Sequence, residues 1–421
     1  MSSIEASAPP RSNPHGRKRH TVGVICAIVA AILIIVALTV ALHWPFSEEN
    51  VRKSLSDASG SAVQFESFDA TYFPHPGCVV EGVTFRQRGS RSVPLLAIQR
   101  LTIASSMFGL FTKHISSIRV EGAHLTVPPF GTGSSPTFKG GDLVVDHLSV
   151  SAAVLDFQRR SGNEPLSFQV ASLEMQNVGG RSAMPFSARL HNPQPPGQVE
   201  VNGTLGSWKN SDVAQATIKG SYNFTEADLS ALGGVAGLLS SHGAFYGALN
   251  AIEVEGKVHV PDFEVKRSSH PVDLSSNFKA LVDARNGDVE ISNADTTIGR
   301  TTIHSTGLIQ APSAGNPKEA TLKVSVSNGR IQDLLYLFVR APKSPMNGPV
   351  SLQGEIDVPA GREPFLKKIE MRGDFGVVRG TFNNPLTQFK MNKLSAESRG
   401  EGDKNDDPER AVSELSSQVV V

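Results

Sequence analysis

Between Ala62 and Val358 the hydrophobic signal repeats every second residue, and no other property of the chain limits its fold so tightly. Val79, Val83 and Phe85 alternate with polar or small neighbours, as do Ile118 with Val120, Leu125 with Val127, Leu148 with Val150, and Phe168 with Val170. The same alternation returns at Ile218 to Phe224, Ile252 to Val260, Leu322 to Val326 and Leu352 to Val358. Each run ends at a cluster of Gly, Pro, Asn or Ser, of which the chain's 38 glycines and 26 prolines supply many. Successive side chains of a strand point to opposite faces, so these runs predict antiparallel β-sheet with one apolar face and one wet face. An apolar face must be buried against something, and the sequence offers few long helices to cover it. The expected fold class is therefore mainly β: an elongated, twisted antiparallel sheet with a few short helices, placed after one N-terminal transmembrane helix.

That helix is read from Thr21 to Leu42, TVGVICAIVAAILIIVALTVAL, which contains no charge and no proline. At about 1.5 Å per residue it reaches roughly 33 Å, enough for a hydrocarbon core of about 30 Å. Arg17, Lys18 and Arg19 precede it, and Trp44, Glu48 and Glu49 follow it. The positive flank keeps 1–20 in the cytoplasm, the span covers 21–43, and Trp44 suits the far interface. A cleaved signal peptide is the rival reading, but the run exceeds the usual 7–15 apolar residues and no A-x-A site follows. Next, Ser47 to Ser59 reads as a capping helix. Ser47 is its N-cap, Glu48 and Glu49 sit at its positive end, Gly60 is its left-handed stop, and Val51, Leu55 and Ala58 form its apolar stripe.

Forty basic and forty acidic side chains cancel, so no net field recruits nucleic acid. Of the two cysteines, Cys26 lies in the span and Cys78 beyond it, so no disulfide staples the exported part. No G-x-S-x-G elbow, phosphate loop with its lysine, or H-E-x-x-H pair occurs. His75-Pro76-Gly77-Cys78 reads as a turn. The residues thus point to no enzyme, no cofactor and no metal.

Two internal repeats bear on the sheet. An apolar–x–Gly motif recurs at Val80-Glu81-Gly82, Val120-Glu121-Gly122 and Val254-Glu255-Gly256, where glycine predicts bulges or local twist. Phe85-Arg86-Gln87-Arg88 followed by Pro94-Leu95, Leu101 and Ile103 resembles Phe157-Gln158-Arg159-Arg160 followed by Pro165-Leu166, Leu173 and Met175, which suggests duplicated β units. Helical interruptions are expected at Phe108 to Phe111, within Glu226 to Ala251, and at Gly329 to Arg340. Ser395 to Arg410 reads as a solvated loop before a β-prone Leu415 to Val421, and the chain is expected to continue past 421.

The candidate binding surface is a gutter of apolar strand faces built from Val83, Phe85, Leu101, Ile103, Ile118, Val120, Leu125 and Val127. Acyl chains suit it, since each buried CH₂ contributes about 0.8 kcal/mol. A charge at Val120 or Phe85 is then expected to stop lipid passage and spare the fold. The rival is a closed sandwich or barrel whose apolar face is simply core, and there the same charges unfold the protein.

The span, the capped helix with Ser59-Gly60-Ser61, and the block Val63 to Phe85 resemble the start of the AsmA-like family of Gram-negative envelope proteins. IEVEGKVHVPDFEV (Ile252 to Val265), DVEISNADTTIGRTTIHSTG (Asp288 to Gly307) and Asn328 to Gly361 resemble its repeated β segments. The resemblance implies a repeating β-groove, bridge-like lipid transfer protein tethered in the inner membrane, with 44–180 as its N-terminal β region and 181–421 continuing the groove. It further implies phospholipid as cargo, a role in outer-membrane lipid homeostasis, and outer-membrane or periplasmic partner proteins. The alternative function is a non-enzymatic envelope scaffold or outer-membrane assembly factor.

Overall fold

The computed structural model describes residues 47–71, 75–87, 94–106, 114–127, 144–158, 165–179, 182–207, 215–266, 268, 270–284, 286–312, 318–360, 363, 365–401 and 414–420. The predicted tail (1–20), span (21–43) and interface residues Arg17, Lys18, Arg19 and Trp44 lie outside them, as does Phe108 to Phe111. Among the described residues no helix is long and apolar enough to cross a membrane.

The first helix, α1 (Glu48–Ser59), forms for the local reasons its sequence supplies. The Ser47 hydroxyl accepts from the Asn50 amide, and Gly60 takes φ 64° at the C-cap. Its buried residues, Val51 and Leu55, join the core against Val63.

Among the described residues, twenty strands then share one sheet. β1 (Ser61–Gln64) and β2 (Ser67–Thr71) both pair with β3 (Gly77–Gln87), at opposite ends of it. β4 (Leu96–Ala104) and β5 (His114–Val127) continue the ladder antiparallel. β6 (Val144–Phe157) runs parallel to β5, so the sheet is mixed and not wholly antiparallel as the alternation suggested. Period-two patterning reports which face a residue takes and carries no information on strand direction. Parallel neighbours need a crossover of a dozen or more residues, and the segment 128–143 supplies that length.

From β7 (Leu166–Val178) onward each strand pairs antiparallel with its predecessor through β8 (Met184–Pro193), β9 (Pro196–Leu205) and β10 (Thr217–Asp228). Glycines keep the next stretch, Leu229 to Ala248, out of an α-helix. It makes a 3₁₀ turn (Leu229–Leu232) and two strands, β11 (Val235–Ala236) and β12 (Leu238–Ala248), where a helical interruption was expected. The meander proceeds through β13 (Ala251–Val265), β14 (Val272–Asp283), β15 (Asp288–Ile298), β16 (Thr301–Gln310) and β17 (Glu319–Arg330).

Helix α2 (Ile331–Tyr336) falls inside the predicted Gly329 to Arg340. β18 (Met346–Asn347) pairs apart from the main sheet with β21 (Thr381–Phe382). β19 (Pro349–Val358), β20 (Glu370–Val378) and β22 (Glu414–Val420) finish the ladder, with the short α3 (Phe365–Lys368) between the first two. Helix α4 (Pro385–Ser398) was not foreseen, and it ends within the stretch read as loop. Its start is nonetheless written locally: Asn384 caps the amides of Leu386 and Thr387, and Pro385 opens the first turn.

The apolar–x–Gly repeat serves two different purposes. At Gly82 and Gly122 the backbone enters the left-handed region, φ 61° and 64°, and Ala152 does the same on β6 at φ 51°. Around these residues the buried positions are spaced by three: Val80 then Val83, Leu101 then Ile98 opposite, Val120 then Ala123, Val150 then Ala153. The step is aligned on four neighbouring strands, so the apolar side stays inward along their whole length. Gly256, in the third copy of the motif, lies in ordinary strand conformation and answers a packing need described below.

Candidate functional site

Seven of the eight predicted groove residues, Val83, Phe85, Leu101, Ile103, Ile118, Val120 and Leu125, are only 0–5 % exposed and belong to one closed core. The Val127 side chain lies outside the described residues, although its backbone ends β5. In this part of the chain the apolar face is occupied by the protein itself. Helix α1, Phe65, Phe68, and the Phe157–Phe168 edge pair at 5.5 Å fill the space next to it. The two hairpins that look duplicated, β3–β4 and β6–β7, stand in equivalent places, with Phe85 facing Leu96 and Phe157 facing Leu166.

The burial changes beyond β7. Along β10, β12, β13 and β14 the pattern becomes exposed on one side and half-buried on the other, residue by residue. The registered pairs join the half-buried residues into rows that cross the sheet. One row passes from Ile218 through Gly247, Ile252, Val282 and Val289 to Ile309. The next links Phe186, Gly203 and Gly220 with Phe245 and Val254, and continues over Ala280, Ile291 and Gly307 to Leu322, Ile356 and Met371. A third holds Val201, Tyr222, Gly243, Gly256, Phe278 and Ala294. A fourth holds Val199, Phe224, Ser241, Val258, Ser276 and Thr296. None of these residues is charged. At about 6.7 Å for every two residues, the four rows span roughly 20 Å of strand length.

Glycines decide how the large side chains lie on this face. A Cβ on Gly220 would come within 2.6 Å of the Phe245 ring. One on Gly256 would come within 2.9 Å of the Phe278 ring and strike the Tyr222 hydroxyl. The rings therefore lie flat across neighbouring strands, and the face stays low.

Polar atoms on the inner face are few and neutral. The Tyr222 hydroxyl and Ser241 Oγ are 3.1 Å apart, and Ser276 Oγ lies 3.0 Å from Thr296 Oγ1. Burial raises the Tyr222 phenol above its ordinary value, against a smaller opposing effect of Ser241, so it remains a neutral donor.

The rim at which β10, β13, β15, β17 and β20 end is lined by small apolar clusters. Leu229, Val235 and Val260 form one, Val265, Ile298 and Leu337 a second, and Ile331, Met346, Val350 and Val377 a third. Insertions gather at this rim: the 3₁₀ turn, β11, α2 and α4.

Charge is placed on the outer face. Lys279 bonds Glu255 at 2.8 Å, His259 meets Asp273 at 3.1 Å, and His304 meets Asp295 at 2.7 Å. His124 bonds Asp156 at 2.6 Å in the closed part. Burial alone would raise the Asp156 carboxyl, but the Ser167 hydroxyl and the His124 ring together hold it below its ordinary value. Bonds from His304 and Asn293 likewise lower Asp295. Among the described residues no three His, Cys, Asp or Glu side chains gather as a metal site requires. Cys78 is buried, and desolvation pushes its thiol up to about 12.

The alternation revealed the inner face, and the closed part lay on the same pattern. It gave no sign of the hydroxyl pairs, whose members stand about twenty residues apart in sequence. Comparison of the chain with protein-family models, with curated proteins and with solved structures finds no match.

Proposed function

We propose that the inner face from β8 to β20 is a groove that holds the acyl chains of phospholipid. In this reading the span at 21–43 tethers the chain in the inner membrane of a Gram-negative envelope. The sheet then carries lipid in the periplasm toward the outer membrane, in the manner of the AsmA-like family that the sequence resembles.

The observation that carries the reading is the uncharged, half-buried set of rows crossing a sheet whose other face is charged. The inner face is consistently less exposed than the outer one along β10, β12, β13 and β14. Apolar guests would gain about 0.8 kcal/mol for each CH₂ they bury there, with no need of a charged site. The closed core, which runs from α1 through β7 and reaches Met184, Leu205, Ala216 and Leu249, with Phe186, Ile218 and Ile252 packed against it, supports a second role for that part, a rigid base beside the membrane, which retains something of the scaffold alternative.

A photo-crosslinking residue placed at Phe245, on the inner face, tests the reading in cells. Lipid adducts are expected there and not at Tyr246, which points outward. Absence of any lipid adduct at Phe245 and at Leu322 would defeat it.

A further inference from the structure

The groove is apolar but not uniformly so, and its polar atoms are arranged. Tyr222 and Ser241 pair on β10 and β12, while Ser276 and Thr296 pair on β14 and β15. Val258 of β13 stands between them, registered with both Ser241 and Ser276. The two pairs thus flank one strand, in the rows nearest the insertion-lined rim, and the rows toward the opposite rim carry no polar side chain.

Each pair contains two O–H donors, and its internal bond uses one of them. Every pair is therefore left with an O–H that can donate outward. Ser241 is 6 % exposed, so its environment supplies little water. A buried donor without an acceptor is costly, and a ligand that brings an acceptor removes that cost. Its chemistry is constrained from three sides. It must accept hydrogen bonds. It must be neutral, because no cationic side chain stands in these rows to balance a phosphate or carboxylate. It must also be joined to hydrocarbon, because apolar rows adjoin the notch.

We infer that the two hydroxyl pairs form a subsite for the ester carbonyls of a diacyl lipid, one carbonyl at each pair, with the acyl chains lying over the apolar rows. The inference rests on the lipid-carrying reading above and adds to it the chemical group by which the cargo is recognised. Ether-linked lipids keep the same hydrocarbon but lack the carbonyl oxygen, so the subsite distinguishes between the two.

The test uses the full chain in a non-ionic detergent, offered an equimolar mixture of diacyl and dialkyl-ether phosphatidylethanolamine of one chain length, with bound lipid quantified by mass spectrometry. Two hydrogen bonds correspond to a preference of about thirtyfold for the ester form. A variant carrying Tyr222→Phe, Ser241→Ala, Ser276→Ala and Thr296→Val removes both members of each pair and keeps the Tyr222 ring in place over Gly256. It is expected to bind the two lipids equally, the ester form losing its advantage and the ether form unaffected. Equal loading of the two lipids by the parent protein would overturn the inference and leave the lipid-carrying reading standing. Persistence of the ester preference in the variant would also overturn it. Failure of both lipids to load would overturn the inference and the lipid-carrying reading together.

Discussion

A lysine placed at Val120 and one placed at Val254 make the same chemical change on the same side of one sheet, yet they should have unlike consequences. Val120 is 0 % exposed and registered between Leu101 and Val150. Its neighbours offer no acceptor, and an ammonium there would be desolvated and unpaired. The effective penalty of an unpaired buried ion is several kcal/mol, a large part of a typical domain stability of about 5–15 kcal/mol. Val254 lies half-buried between Phe245 and Ala280 on the inner face. There the lysine stem can follow the apolar floor and put its charge in water, and the cost falls to about 1 kcal/mol. Denaturant unfolding followed by circular dichroism should therefore show Val120→Lys largely unfolded and Val254→Lys close to the parent. Lipid content by mass spectrometry should fall in Val254→Lys although its fold is kept. Equal destabilisation by the two substitutions, or undiminished lipid in Val254→Lys, would refute the division of the sheet into a closed part and a guest-holding part.

Other consequences are more local. Gly82→Ala forces a side chain into the left-handed region and should lower stability by about 1–2 kcal/mol, whereas Ala152→Gly relieves the same strain on β6 and should raise it by up to about 1 kcal/mol; both are read from denaturation midpoints. Asp156 and Asp295 titrate lower in the folded chain than in the unfolded one, so their ionised forms contribute stability above the ordinary Asp value of about 3.9 and lose it as pH falls through the folded values. Stability measured from pH 7 to pH 2 should accordingly begin to drop below about pH 4, and Asp156→Asn should make that drop shallower. In a Cys26→Ser background Cys78 should resist maleimide labelling at pH 8 in the native protein and react fully in denaturant, because its thiol is both buried and held protonated.

Much of the architecture was legible in the residues because it depends on neighbours close in the chain. The caps of α1 at Ser47 and Gly60 are one-turn interactions, and they form where the letters place them. Strand identity and the inward face follow from a period of two, as the pairing of Phe85 with Leu96 and of Val254 with Phe245 illustrates. What escaped was whatever depends on the element opposite. Val80-Glu81-Gly82 and Val254-Glu255-Gly256 are the same motif, yet the first is a left-handed step and the second a seat for the Phe278 ring and the Tyr222 hydroxyl, since different strands lie beside them. The parallel direction of β6 was likewise not written in its pattern, which is the same for either direction.

By itself, the sequence determined that this chain is a ladder of strands with one greasy side and one charged side, because alternation is enforced by the geometry of each strand alone. Only the tertiary structure decided that the side is sealed around Val83, Leu101 and Val120 and left half-open around Phe245, Val254 and Ile291. Burial is a property of what faces a residue, and that is settled by parts of the chain far from it.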